Sequence, residues 1–316
     1  MKKSRTTMLI AASAVSMLVL SACSESAGEA APDSDTVSVD TANGTVEVPA
    51  NPVRVAALDN TSFETLKAFG IEPVALPKPI MPDEGFEDWV GNDDIFDVGS
   101  HREPNLELVS EAEPDLIIGG YRFREYTDEL SRIAPTIDIS PTDENFVESL
   151  KTQTETLGTI FGKENEAADI VAALDAAEDD AAAQTSGQTV FLANVNGGKI
   201  DNGAERIVRL LEPLNLQDVF AGEAGDIHGD SGLAPETIAQ ANPDWVIVLD
   251  RDAAAGEGDV SPASAVFAAQ EAFANTTFMT EDQIIYLDQY FYTREGIQAY
   301  TEAFESIATA FENAAA

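Results

Sequence analysis

The sequence predicts an α/β protein made of two lobes of like construction. Two observations carry this expectation. Short, almost continuously apolar runs (Val53 to Leu58, Asp115 to Gly119, Thr189 to Ala193, Trp245 to Leu249) alternate with helical stretches, the pattern of parallel strands buried on both faces. The two halves also echo one another. Glu107, Pro114, Asp115 and Arg122 in the first half have counterparts Glu236, Pro243, Asp244 and Arg251 in the second, all offset by 129 residues. A helix that ends at Pro-Asp before a buried strand is common, so either half alone is weak. The shared spacing is what argues for two lobes.

Residues 1–22 read as a lipoprotein signal peptide outside the fold. Lys2, Lys3 and Arg5 precede an uncharged apolar stretch from Met8 to Leu20, which is too short for a membrane span. Small residues then lead into Cys23, the only cysteine in the chain. A lone cysteine forms no internal disulfide, and this one stands where a lipid would be attached. Residues 23–35 are small, acidic and proline-containing, as expected of a flexible tether.

An N-terminal lobe is expected over 36–162. Asn43-Gly44 between alternating runs signals a hairpin. The strand at Val53 to Leu58 is followed by a helix from Thr61 to Phe69, stopped by Gly70, and a strand from Ile71 to Leu76. Residues 77–98, rich in proline and glycine, read as a loop beside a cleft. Asn105 can cap a helix ending near Glu113. Glu144 to Phe161 is helical and ends at Gly162. The stretch 163–185, rich in alanine and acids, is a second long helix. A C-terminal lobe is expected over 186–316, with strands at Thr189, Trp245 and Ile284 and a last helix from about Gly296 to Phe311.

Charge excludes one class of function. The chain holds 17 Lys+Arg against 57 Asp+Glu, a net charge of −40, so it repels nucleic acid and anionic headgroups. Against that background each arginine is informative. No Gly-x-Ser-x-Gly elbow, phosphate-binding loop or His-Glu-x-x-His motif is present, and nothing points to an enzyme.

Several segments together resemble the siderophore- and vitamin-binding class of substrate-binding proteins of ABC importers. They are Asn51-Pro52-Val53-Arg54-Val55, Glu103-Pro104-Asn105-Leu106-Glu107, Pro114-Asp115-Leu116-Ile117-Ile118, Ile133-Ala134-Pro135-Thr136 and Phe161-Gly162-Lys163-Glu164. Arg122 and Tyr126-Thr127-Asp128-Glu129-Leu130 resemble its ferric-siderophore members. The resemblance implies two Rossmann-like α/β lobes bridged by a single long helix, here 163–185, with the ligand cleft between them. It implies no intrinsic cofactor. The ligand would be a ferric siderophore, and the partners an ABC permease and, through Cys23, the outer face of the cytoplasmic membrane. A monomer is expected.

Ligands of open α/β sheets bind beyond the carboxyl ends of the strands, so Arg122 and Arg251 should approach the cleft. Arg206 matches a third ligand-facing arginine of the family. Guanidinium forks suit an anionic chelate with outward oxygens. Of the two histidines, His228 lies in a polar loop at a place where some relatives complete the iron shell, as does Tyr292. The chain lacks the usual Trp-Tyr pair around Tyr292, which leaves Tyr290 as a rival. Arg124 is the weaker neighbour of Arg122, and His101 lines the cleft edge or does nothing. Glu107 and Glu236, near the starts of their helices, match glutamates that pair with permease arginines in the family. Alternatives on the same fold are haem, with His228 and Tyr292 as axial ligands, cobalamin, and less readily zinc or manganese. A hydrolase or a surface adhesin is the remote alternative.

Overall fold

The computed structural model describes residues 36–315 except 43, 83, 224–230 and 256–259. Its architecture follows from strands too apolar to be wetted on either face. In the first lobe Val55–Ala57 and Leu116–Gly119 are wholly buried and pair in parallel at the middle of a five-stranded sheet. Ala75–Leu76 and then Phe96–Asp97 flank one side, and Thr136–Asp138 the other, all parallel. Numbered along the chain, that order is 3-2-1-4-5. Its switch point lies between the two central strands, where the loops leaving them diverge and open a crevice. The expected hairpin forms from Thr36–Thr41 and Gly44–Pro49, and buries Val39 and Val48 against this lobe's core.

The second lobe repeats the plan. Thr189–Asn196, Trp245–Asp250 and Ile284–Tyr286 run parallel in that order. Lys199–Asn202 and Gln217–Asp218 share the outer edge of the first of these strands. The 129-residue repeat has a physical content. Glu113 and Asn242 both end their helices in the left-handed region, at φ 45° and 44°. The aspartate two residues on then ties the strand it precedes to its neighbour. Asp115 accepts from the backbone N–H groups of Val53 and Arg54 (2.9 and 3.0 Å), and Asp244 accepts from the N–H and hydroxyl of Thr189 (2.8 and 2.7 Å).

Helix Glu164–Gln184 runs between the two cores. Ala167 joins the first and Leu174, Ala177 and Ala181 the second. Its small buried residues let helix Ile297–Ala315 pack along it. Helix Phe146–Phe161, which the sequence assigns to the first lobe, is shared in the same way. Val147 and Leu150 enter the second core, and Leu157, Ile160 and Phe161 the first. Two antiparallel helices therefore cross between the lobes. The segment 77–98 lies away from the cleft. Met81, Phe86, Trp89 and Ile95 bury it in the first core, so its prolines and glycines shape a core-covering loop.

A second crossing lies at the other end of the chain. Asn60 donates to the carbonyls of Thr293 and Arg294 (3.2 Å each), and Gln298 Nε2 donates to Thr65 Oγ1 (3.1 Å). Between them Gly296 meets the backbone of Thr61 so closely that a Cβ would lie 2.5 Å from the Thr61 carbonyl oxygen. Both contacting atoms are backbone, so neither yields by a rotamer change. Gly296→Ala is therefore expected to cost about 1–3 kcal/mol through overpacking. Thermal unfolding of the variant beside wild type checks this. A Gly296→Ala melting temperature equal to wild type would show that the lobes are not in fixed contact there.

Candidate ligand-binding cleft

Between the carboxyl ends of the two sheets lies a cavity of about 740 Å³, a size suited to a small molecule or chelate. Arg102, Arg122, Arg124, Arg206, Arg209 and Arg251 line it. These are six of the nine arginines beyond residue 22. Three glutamates face them, Glu125, Glu205 and Glu295. A protein of net charge −40 thus gathers most of its arginines around one partly enclosed space.

Arg122 and Arg251 are held alike. Each follows the second central strand of its sheet, and each is gripped by an asparagine at or just past the carboxyl end of the first. Arg122 Nε donates to Asn60 Oδ1 (2.9 Å), and an Arg251 guanidinium nitrogen donates to Asn196 Oδ1 (2.6 Å). A guanidinium fixed by a neutral acceptor keeps its charge and loses little freedom when an anion arrives. Arg122 also donates to Glu295 (3.0 Å) and is mostly buried. Burial opposes its charged form, but Glu295, Tyr121 and Tyr292 outweigh that and raise its pKa.

Arg206, on the short helix Ala204–Ile207, completes a ring of charge around Tyr292. The guanidinium carbons of Arg206, Arg251 and Arg122 lie 4.9, 5.2 and 5.6 Å from the centre of its ring. Burial raises the Tyr292 phenol pKa. A hydrogen bond from Arg251 and the charges of all three arginines more than offset this, leaving it below the ordinary phenol value. A phenol easier to ionise is a better anionic oxygen donor toward a hard cation. Tyr290 points elsewhere. It lines a separate cavity with Glu64, Lys67 and Arg294.

The other expected residues are dispersed. Glu107 and Glu236 are exposed in the first turns of helices Leu106–Glu111 and Pro235–Ala241, with Asn105 capping the former through Leu108 N–H (3.1 Å). His228 and Cys23 lie outside the described residues. His101 lines the cleft, and its Nδ1 is buried without a hydrogen-bond partner. Burial, with the charges of Arg122 and Arg102, lowers its pKa and favours the neutral imidazole.

Sequence reasoning passed over Arg102, Arg209, Asn60, Asn196 and Glu295, and set Arg124 aside. Arg124 lines the cleft and pairs with the buried Asp138 (3.1 Å). Arg209 stacks on Phe146, 4.6 Å from the ring centre. Its place three residues after Arg206, in a stretch of short helical turns, is a signal that was present. The partners from distant strands carry no such mark.

Beneath Arg122 sits Asp59, fully buried. Its Oδ1 has no partner and rests against Gly120, where a Cβ would lie 2.0 Å away. Burial, against the opposing hydrogen bond from Thr61 and the charge of Arg122, raises its pKa to about 7. The folded state therefore takes up a proton that the unfolded state releases near pH 4. The stability this contributes is full below that pH and is lost as pH rises through about 7. The melting temperature of wild type relative to Asp59→Asn should accordingly fall by roughly 5 °C between pH 4 and pH 8. A flat difference across that range would mean Asp59 is ionised throughout.

Comparison with known proteins places this geometry. Residues 55–291 match the periplasmic binding protein family. The petrobactin-binding protein YclQ of Bacillus subtilis is 31% identical over 284 residues, covering 85% of this chain and 86% of that protein. The ferric-anguibactin-binding protein FatB of Vibrio anguillarum is 30% identical over 218 residues, 66% and 67% of the two chains. The crystal structure of YclQ superposes with a TM-score of 0.76 at 28% identity, covering 88% of this chain and 99% of that one. PiuA of Streptococcus pneumoniae, an iron-uptake substrate-binding protein, gives 0.77 at 26% identity, covering 88% of this chain and all of the other. With two α/β lobes, a shared cleft and these relatives, the chain belongs to the periplasmic binding protein family.

Proposed function

We propose that this protein binds an anionic ferric siderophore in the interlobe cleft and delivers it to an ABC permease for iron uptake. The observation that carries the reading is the six-arginine cavity in a strongly acidic protein. An enclosed cluster of cations attracts a polyanionic chelate while the rest of the surface repels anions. The relatives support it, FatB being named as a ferric-anguibactin-binding protein and YclQ as a petrobactin-binding protein. Arg122, Arg206 and Arg251 would contact the chelate oxygens. Tyr292, with His228, would complete the iron shell of a chelate that leaves coordination positions open. The iron is cargo, and no bond of the ligand is made or broken by the protein.

Residues 1–22 would direct export, and lipid on Cys23 would hold the protein at the outer face of the membrane, with 23–35 as its tether. Among the described residues no helix is long and apolar enough to cross a membrane. Glu107 and Glu236 would dock the loaded protein on its permease, one from each lobe. Exposed carboxylates in the first turn of a helix are well placed for arginines of a partner.

Fluorescence quenching of residues 36–316 by ferric catecholate, ferric hydroxamate and haem, titrated in parallel, tests the binding reading. Saturable quenching by a ferric siderophore at sub-micromolar concentration is expected. Arg206→Ala or Arg251→Ala should weaken it about 10-fold or more, the worth of a charge-assisted hydrogen bond. Binding of haem alone would assign a different ligand to the same cleft, and no binding by any of the three would refute the assignment. Glu107→Ala with Glu236→Ala should abolish iron-siderophore uptake by cells and leave quenching unchanged. Normal uptake by that double variant would remove the docking role.

A further inference from the structure

We propose that Glu295 is a resident counter-ion of the cleft, which occupies Arg122 and so sets the ligand charge that the site accepts. The inference rests on the ligand-cleft reading above and concerns the least exposed of the three cleft carboxylates, none of which that reading uses. Three observations lead to it. Glu295 has φ 49°, a left-handed conformation that suits glycine and strains a longer residue. Its place at the end of helix Phe291–Arg294 would be served as well by glycine. The side chain therefore has a use that offsets the backbone.

That use is visible in its partners. One oxygen, Oε2, accepts from Tyr121 Oη (2.8 Å), Arg122 (3.0 Å) and Asn60 Nδ2 (3.4 Å), all three from the opposite lobe. Glu295 lines the cavity yet is only 19% exposed. The other two cleft carboxylates, Glu125 and Glu205, are exposed and screened by water. Glu295 is thus the negative charge that an incoming anion feels most. It turns the Arg122 guanidinium toward the lobe contact, and an anionic ligand must compete with it for that donor. A chelate of low charge meets little opposition, whereas a trianion meets it in full.

The test compares ferric tris-catecholate, a trianion, with a neutral ferric trihydroxamate on the 36–316 protein. Glu295→Gln keeps the shape and an acceptor oxygen but removes the charge. It should raise the affinity ratio of trianion to neutral chelate on the order of tenfold. Glu295→Gly, which also relieves the backbone, should raise the ratio as well. If Glu295 is only a structural tie between lobes, both chelates weaken together and the ratio stays at the wild-type value, which overturns the proposal. Should wild type bind neither chelate, the siderophore reading fails, and a chelate-free polyanion decides this one. Millimolar pyrophosphate should stabilise Glu295→Gln against heat more than it stabilises wild type, and equal thermal shifts would overturn the proposal.

Discussion

The cleft depends on one backbone contact. Where Gly296 meets the Thr61 carbonyl, two lobes built on separate sheets touch without an intervening side chain. That contact, with the hydrogen bonds of Asn60 and Gln298 beside it, references the second lobe near Tyr292 to the first. The two antiparallel helices Phe146–Phe161 and Glu164–Gln184 also span the junction, since each buries residues in both cores. Two crossing helices and a backbone contact leave little room for a wide hinge. A cleft of this kind recognises ligands by charge and fit at a nearly constant opening, with side chains as the adaptable parts.

Within that frame the electrostatics follow from burial. Guanidinium groups gathered in a partly enclosed cavity repel one another, and the structure manages the repulsion in three ways. Asparagines grip Arg122 and Arg251 through neutral oxygens, which orients them without cancelling charge. The Tyr292 ring lies beneath three guanidinium groups and offers its negative face to each. Carboxylates pair with two of the arginines, Asp138 with Arg124 and Glu295 with Arg122. The buried acid Asp59 lies behind this array, and its raised pKa reflects the loss of water more than any neighbour. The network continues into the lobe-crossing helix, where Gln153 donates to Thr61 (2.6 Å) and to the Ile139 carbonyl (3.0 Å). The floor of the cleft and the strut between lobes are therefore one hydrogen-bonded unit.

Much of the fold was legible in the chain. Strands buried on both faces announce themselves as apolar runs, and the 129-residue offset marked equivalent places in the two lobes. The structure gives that offset a cause, because the same left-handed turn and the same aspartate staple recur in each sheet. Segment 77–98 misled for an equally physical reason. Proline and glycine report where the chain bends, and the bends here carry Phe86 and Trp89 into the core instead of toward the cleft. Helix Phe146–Phe161 showed its apolar face in the sequence, but not that the two ends of that face belong to different cores.

The sequence by itself determined what is local. It set the strand and helix order, the acidity that makes each arginine count, and the placing of Arg122 and Arg251 just past equivalent strands. Such features are written in neighbouring residues, through periodicity, turn chemistry and spacing. Only the tertiary structure decided what lies across the cleft. It gathered Arg102 and Arg209 with the others, chose Tyr292 over Tyr290 for the cavity, and set Glu295 against Arg122, 173 residues away in the chain. Pairings of that range are fixed by how two cores dock, and docking is a property of surfaces assembled from the whole chain, on which no short run of residues bears a mark.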